Sequence, residues 1–270
     1  MLMEVKNIMN NLKFFINATY CSVKSAMEYR LSFFIQSIFM FINNGFWLLF
    51  WAIIFNANGS NINGVNMDTM LYLWSIPVIS FGVAFFFFGG SDNISSYIIS
   101  GQMDSYMLQP KHPLLNILTS KCNFSAFGDL IYGLVLGFIV VDYDLLKFLL
   151  IIVFGIFGSV FYVATSIIIR SLSTWLGDTD IIASKYTDTL LTTFSIYPEK
   201  IFDGVIKVLL YTVIPVAYFA YIPINIVMNF NFINLLIVFV VGILYMIIAV
   251  LVFNKSMKSY ESGNTISMRN

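Results

Sequence analysis

Charged residues are scarce in this sequence. Of its 270 residues only 10% are Asp, Glu, Lys or Arg, whereas 59% are apolar. A soluble domain carries charge on about a quarter of its residues, because its surface must be hydrated. Fourteen acidic and fourteen basic residues cannot hydrate a surface around 28 phenylalanines and 15 tyrosines. Lipid is therefore the solvent for most of the chain, and the composition predicts an all-α membrane protein in which residues 1–270 form a single transmembrane domain.

Residues that carry chemistry are equally few. No Gly-Lys dipeptide occurs, so the sequence contains no P-loop to bind the phosphates of a nucleotide. The single histidine, His112, has no neighbouring partner for metal binding, and Cys21 and Cys122 lie too far apart to indicate a zinc site or a disulfide framework. A net charge of zero gives no reason to expect nucleic acid as a partner. We expect no catalytic residue, no metal site and no cofactor bound by the chain itself.

Long stretches without charge are what the sequence has instead. A helix needs about 20 apolar residues to cross the hydrocarbon core of a bilayer. We predict a membrane-spanning helix for each stretch of about this length that contains at most one charged residue. Outside the region 170–231 there are five: residues 31–55, 69–90, 122–141, 148–169 and 232–253.

The region between residues 170 and 231 allows two interpretations. Residues 180–198 are apolar enough to form a helix, although they contain three charged side chains, Asp180, Lys185 and Asp188. Residues 208–230 are uncharged but are broken by two prolines, Pro215 and Pro223. If one of these stretches crosses the membrane the protein has six spans, and if both cross it has seven.

The basic residues predict the orientation, because cytoplasmic loops of membrane proteins are enriched in Lys and Arg. With six spans, the Asn- and Gly-rich segment 56–66, which has neither Lys nor Arg, lies outside. Both termini are then expected in the cytoplasm. The basic residues that fall on the cytoplasmic side are Lys6, Lys13, Lys24, Arg30, Lys111, Lys121, Arg170, Lys255, Lys258 and Arg269.

The segment before the first predicted span has helical periodicity. Apolar residues recur at steps of three and four from Val5 to Ile16, and Asn and Lys side chains occupy the other face. This pattern is typical of an amphipathic helix that lies on a membrane surface, and we predict such a helix over residues 4–24. The alternative is a helix packed on a cytosolic partner.

The longest predicted non-membrane segment is the cytoplasmic loop 91–124. Its two short amphipathic pieces, 93–99 and 104–108, are separated by Gly101. We expect the loop to expose apolar side chains, Ile98 and Met107 among them, that dock on a partner. The alternative is that they rest against the bilayer or the protein's own helix ends. The candidate contact residues are Asp92, Ile94, Tyr97, Asp104, Tyr106, Leu108 and Lys111.

Three residues stand out inside the third predicted span. Asp129 is its only charge, and an acid within a span is a candidate functional residue. Because it lies a few residues from the cytoplasmic end, we interpret it instead as a structural group that interacts with the helix N-terminus alongside Ser125. Gly133 and Gly137 form a Gly-xxx-Gly pattern, which predicts close helix packing within the bundle.

Three segments, each weak alone, together resemble a known family when taken in order and spacing over nearly the whole chain. They are residues 25–30 with the aromatic run 46–51, residues 96–110 with 127–130, and residues 197–198 with 213–223. The family is that of the ABC-2 type permeases, specifically the six-span subfamily called ABC-2 family transporter protein.

The resemblance implies a fold. Permeases of this type have a cytoplasmic amphipathic elbow helix, six spans, a cytosolic loop after the second span that couples to an ATPase, and re-entrant helices on the outer side before the last span. It therefore implies residues 178–197 as the fifth span and residues 198–230 as the re-entrant external segment. The charged side chains of Asp180, Lys185 and Asp188 then need to face a dimer interior or to lie at the inner boundary.

The resemblance also implies a function, that of the permease subunit of an ABC exporter in the cell membrane. It would move an amphipathic drug, lipid, peptide or glycan-type substrate outward. Cytosolic ABC ATPase subunits would bind ATP and Mg, and a second permease, identical or paralogous, would complete the transporter, so the chain itself is not an enzyme. A secondary transporter or channel is the alternative, and it would need ion-coupling charges near mid-membrane. A membrane-embedded enzyme would need clustered His, Asp, Glu or Cys.

Overall fold

The computed structural model describes residues 2–57 and 65–261, and for residues 2–9 and 26 it describes the backbone alone. The predicted loop 56–66 and the predicted cytoplasmic residue Arg269 therefore lie partly or wholly outside the described residues. The helices confirm the predicted all-α fold class. In chain order they are α1 (Leu2–Ala26), α2 (Arg30–Ala57), α3 (Met67–Phe88), α4 (Ile94–Ile99), α5 (Met103–Met107), α6 (Pro113–Leu118), α7 (Phe124–Val140), α8 (Leu145–Ser171), α9 (Ser173–Leu176), α10 (Asp180–Ser184), α11 (Thr192–Ile196), α12 (Gly204–Thr212), α13 (Ile222–Met228) and α14 (Phe232–Ser259).

Helices α3, α7, α8 and α14 each begin at an asparagine or aspartate. The side chains of Asn66, Asn123, Asp144 and Asn231 accept hydrogen bonds of 2.9 to 3.3 Å from backbone N–H groups of the first turn. These N–H groups have no partner within the helix, so a side-chain oxygen at this position fixes where each helix starts.

Helix α3 lies at the centre of the bundle. It packs between α7 and α8, while α2 lies against the outer side of α7 and α14 against α8. Close approach of α3 and α7 depends on glycine, because a Cβ atom added to Gly133 would lie 2.6 Å from Ile79 Cγ1. A Cβ atom added to Gly137 would lie 3.1 Å from Ile151 Cγ2 on α8. Small residues at such crossings allow the backbones to come together.

The outer helices present apolar surfaces. Phe39 and Ile53 of α2 are 68% and 69% exposed, and Ile233 and Leu251 of α14 are 67% and 61% exposed. Four helices of the described chain are long and apolar enough to cross a membrane, and the number rises to five if one bent pair counts as a span. Helix α7 has 17 residues and falls just short of that length. The count of six spans stays a prediction.

The two ambiguous stretches have different shapes. Residues 180–196 form one continuous helix, because a π-helical segment, Lys185–Leu191, joins α10 to α11. Residues 204–228 instead form a pair of helices that is bent by 76°. The break lies at residues 213–216 and includes Pro215. The prediction that Pro223 also breaks the chain is wrong, because the helix continues without a break from Ala217 to Met228, with its first part, Ala217–Tyr221, in a π-helical turn.

The bent pair begins and ends at the end of the bundle away from the loop 91–124. On its first arm Lys207 lies 2.9 Å from Glu199, and on its second arm Met228 lines a cavity together with Thr69 and Glu199. The bend reaches into the bundle, where Phe219 packs on Tyr162. This geometry matches a helix pair that enters and returns, whereas its position relative to the bilayer stays a prediction.

Candidate functional site

The loop end of the bundle, by which we mean the end at which residues 89–123 lie, is held by one arginine. Arg170 lies in the last turn of α8 and is 3% exposed. Its Nη2 atom lies 3.2 Å from Asp92 Oδ1, and its Nε atom lies 3.3 Å from Asp180 Oδ1. Its Nη1 atom donates to the Ser166 hydroxyl at 2.5 Å. The planar guanidinium thus links three parts of the chain, which a lysine could not do with the same geometry.

A second polar contact joins the same segments. The Ser95 hydroxyl donates to Asp178 Oδ1 at 3.4 Å and accepts from the Thr179 N–H at 3.3 Å. Ser95 belongs to α4, and Thr179 immediately precedes α10. Segment 89–99 is therefore fixed both to the end of α8 and to the start of helix 180–196, so displacement of one would be transmitted to the others.

The apolar side of α4 faces inward. The prediction that Ile94 and Ile98 are exposed is wrong, because both are fully buried, as is Met103 at the start of α5. The spacing of these apolar residues among polar ones is typical of an amphipathic helix, but it is the protein's own bundle that covers them. The alternative considered from the sequence, that these residues rest against the helix ends, is correct for Ile94 and Ile98.

Other predicted contact residues do reach the surface of the loop. Leu108 is 88% exposed and Met107 is 45% exposed. The rings of Tyr97 and Tyr106 are 5.0 Å apart and half-buried beside them. Burial, assisted by the neighbouring Tyr97, raises the pKa of Tyr106 to about 12, so its hydroxyl is neutral at physiological pH. This exposed tip is the part of the loop that is free to contact a partner.

The remaining loop residues contact neighbouring helices. Lys111 Nζ donates to Asn11 Oδ1 of α1 at 2.7 Å, and Ser22 of α1 donates to the Thr119 carbonyl at 2.7 Å. Asp104 is half-buried and interacts with the Tyr260 hydroxyl, and burial together with this interaction raises the pKa of Tyr260 to about 12. Helix α1 therefore lies against the loop; its contact with a membrane surface stays a prediction.

Asp129 has a partner that the sequence did not indicate. Its Oδ1 atom accepts a hydrogen bond of 2.6 Å from Asn44 Nδ2 on α2, and its side chain is 2% exposed. The expected interaction alongside Ser125 is wrong, because the Ser125 hydroxyl donates to Asn123 Oδ1 at 2.8 Å. The bond from Asn44 instead joins α2 to α7. No feature of local spacing could reveal it, since the two residues lie 85 positions apart.

Sequence reasoning also missed the role of Arg170, which it used only as a marker of orientation. The one signal in the sequence for this role was the position of Arg170 directly after the uncharged stretch 148–169. Within the described residues no group of three or more His, Cys, Asp and Glu side chains is arranged to hold a metal ion. Cys21 is exposed, Cys122 is buried, and both are free thiols.

Comparison with known proteins assigns the family. The family model for the ABC-2 family transporter protein matches residues 41–264, which is most of the chain. Neither the curated proteins nor the solved structures include a match. The matched range contains the bundle from the middle of α2 onward, the loop 91–124 and the bent helix pair. This multi-pass membrane protein therefore belongs to the ABC-2 transporter family and is a permease component of an ABC transporter.

Proposed function

We propose that this chain is the permease subunit of an exporter in the cell membrane and that a cytosolic ABC ATPase docks on its loop 91–124. The observation that carries the proposal is the double attachment of segment 89–99. Arg170 joins it to α8, and Ser95 joins it to the helix that starts at Asp180. A displacement of the loop by a partner bound around Leu108 would therefore be transmitted to α8 through Arg170 and to helix 180–196 through Ser95.

The ATPase would supply the nucleotide chemistry, with ATP and Mg bound on that partner and not on this chain. Support comes from the family and from the sequence, which has no Gly-Lys dipeptide to form a P-loop. Closure of two ATPase subunits on ATP would move the loops of two permeases as rigid bodies. The second permease would be either a further copy of this chain or a paralogue.

The orientation follows from this docking. If the loop meets a cytosolic ATPase, the loop end is cytoplasmic, and both termini lie on that side. The enrichment of Lys and Arg at this end supports the same orientation. The bent pair 204–228 then lies at the outer side, and helix 180–196 provides the fifth crossing.

Site-directed crosslinking tests the docking. Cys21 and Cys122 are first replaced by serine, and a single cysteine is then placed at Leu108. Its matched control is a single cysteine at Tyr143, which is 77% exposed in the turn between α7 and α8. We expect an ABC ATPase that co-purifies in mild detergent to crosslink through position 108 and not through position 143.

Crosslinking and transport measurements together distinguish the exporter permease from a secondary transporter or channel. Equal crosslinking at positions 108 and 143, or none at either position in a complex that hydrolyses ATP, would contradict docking on the loop. A secondary transporter or channel would move its substrate in vesicles without ATP and would bring down no ATPase.

A further inference from the structure

A cavity of about 310 Å³ lies inside the bundle, between α2, α3, α7 and the helix 180–196. Its wall includes Asn44, Trp47, Trp74, Phe81, Asp129 and Asp188. The volume falls at the lower end of the range for pockets that bind small organic molecules. The docking of an ATPase on the loop does not use this space, although Asp129, the one acid of the third predicted span, contributes to its wall.

Three polar atoms of residues that line this cavity are buried and have no hydrogen-bond partner within the described residues. They are Asp129 Oδ2, Trp74 Nε1 and the Tyr162 hydroxyl oxygen, on side chains that are 2%, 3% and 0% exposed. Buried polar groups in native proteins are almost always paired with protein, water or ligand. Asn44 satisfies only Oδ1 of the carboxyl group, which leaves Oδ2 unpaired on a residue that lines the cavity.

The charge of the cavity wall has one sign. Its carboxylic acids are Asp129 and Asp188, and over residues 2–57 and 65–261 no Lys, Arg or His contributes to it. Asp129 lies at the buried side, whereas Asp188 and the neighbouring wall residue Asn43 are exposed and mark the open side. A cation stabilises a buried acid in a membrane helix, and none of the residues that the structure describes in this wall supplies one.

The rest of the wall is apolar and aromatic. The rings of Trp47 and Trp74 have centroids 5.9 Å apart, and Phe81 and Tyr162 extend the aromatic surface. Aromatic faces attract organic cations, and they also cover apolar groups that are attached to the cation. An occupant that satisfies this wall therefore carries positive charge at one end and apolar surface at the other.

We propose that the cavity binds an amphipathic organic amine, with its ammonium group donating to Asp129 Oδ2 and its apolar part against the aromatic wall that Trp47 and Trp74 form together. The inference that such an amine is the exporter's substrate rests on the proposed function. Binding of the amine is a property of this chain alone, so the test needs no ATPase.

The test compares ligands that differ only in charge. The purified chain in phosphatidylcholine nanodiscs, without ATPase, is titrated calorimetrically with 4-phenylbutylammonium and with 4-phenylbutan-1-ol, the neutral analogue. We expect Asp129→Asn to weaken binding of the ammonium by about tenfold or more, since it removes a low-dielectric charge contact, and to leave the alcohol within about twofold. Asp68→Asn, an exposed acid in the first turn of α3, is the control and should change neither ligand.

A second variant keeps the test informative if Asp129→Asn fails to fold. Asp188→Asn alters the exposed rim and should weaken ammonium binding by about threefold, because charges in contact with water are partly screened. Equal binding of the ammonium and the alcohol to the unaltered chain would overturn the proposal, as would an ammonium affinity unchanged by Asp129→Asn. Binding that behaves as expected in a chain that couples to no ATPase would overturn the proposed function and leave the amine site standing.

Discussion

Arg170 and Asp92 are 3.2 Å apart, and this contact joins the last turn of α8 to the segment that follows α3. The arginine is almost completely buried, while Asp92 is about one-third exposed. Asp180 on the other side of the guanidinium completes the group. One cation therefore pairs with two carboxylates, and its removal leaves Asp92 with only the weaker attraction of Lys121.

We expect Arg170→Met to destabilise the protein and to uncouple the loop. The loss should be about 2 kcal/mol, below the value for a fully buried pair because water reaches both carboxylates. Unfolding of the purified chain in mixed detergent micelles measures it. The control is Lys147→Met, which removes an exposed pair with Asp144 at 3.9 Å and should cost about 0.5 kcal/mol or less. Equal losses in the two variants would contradict the role given to Arg170.

Leu108 and Ile94 should respond in opposite ways to the same substitution. Leu108→Asp places charge on a side chain that is 88% exposed, so we expect normal folding but loss of ATPase binding. Ile94→Asp buries an unpaired carboxylate and should prevent stable folding. Size-exclusion profiles in detergent report folding, and co-purification reports the ATPase. Normal ATPase binding by the Leu108→Asp variant would show that the partner docks elsewhere.

Gly133 and Gly45 provide a matched pair of alanine substitutions. At Gly133 the new Cβ would lie 2.6 Å from Ile79 Cγ1 and 3.0 Å from Ile79 N, so the backbones of α3 and α7 must separate. We expect a loss of about 1–3 kcal/mol in the free energy of unfolding. At Gly45 nothing lies within 4 Å, and alanine should be neutral or stabilising by about 0.5–1 kcal/mol. If Gly133→Ala proves as stable as Gly45→Ala, close packing of α3 and α7 does not depend on this glycine.

Much of the fold could be predicted from the sequence because charge is excluded from lipid-facing helices. The uncharged stretch 232–253 lies wholly within α14, and the stretch 148–169 lies within α8. Pro223 was misread because a proline, although it lacks an N–H donor and its ring crowds the preceding turn, does not always end a helix. The turn before Pro223 is the π-helical segment Ala217–Tyr221, and the helix continues through the proline to Met228.

The contacts of the site could be predicted far less well. An amphipathic pattern shows that α4 has an apolar side but not what covers it, and Ile94 is covered by the bundle itself. The pairs formed by Arg170 with Asp92 and by Asn44 with Asp129 connect residues more than seventy positions apart, 78 and 85 respectively. Such pairs follow from the packing of helices, which no local spacing encodes.

Asn44 and Asn43 are neighbours on α2 with different surroundings, and they test the hydrogen bond to Asp129. Asn44 is buried and donates to Asp129 Oδ1 at 2.6 Å, whereas Asn43 is exposed. We expect Asn44→Ala to lower the free energy of unfolding by about 1 kcal/mol, the usual size for a hydrogen bond between membrane helices. Asn43→Ala should leave it unchanged. The double variant Asn44→Ala with Asp129→Ala should lose less than the sum of the two single losses, because each single change already removes the shared bond. Strictly additive losses would mean that the two side chains act independently.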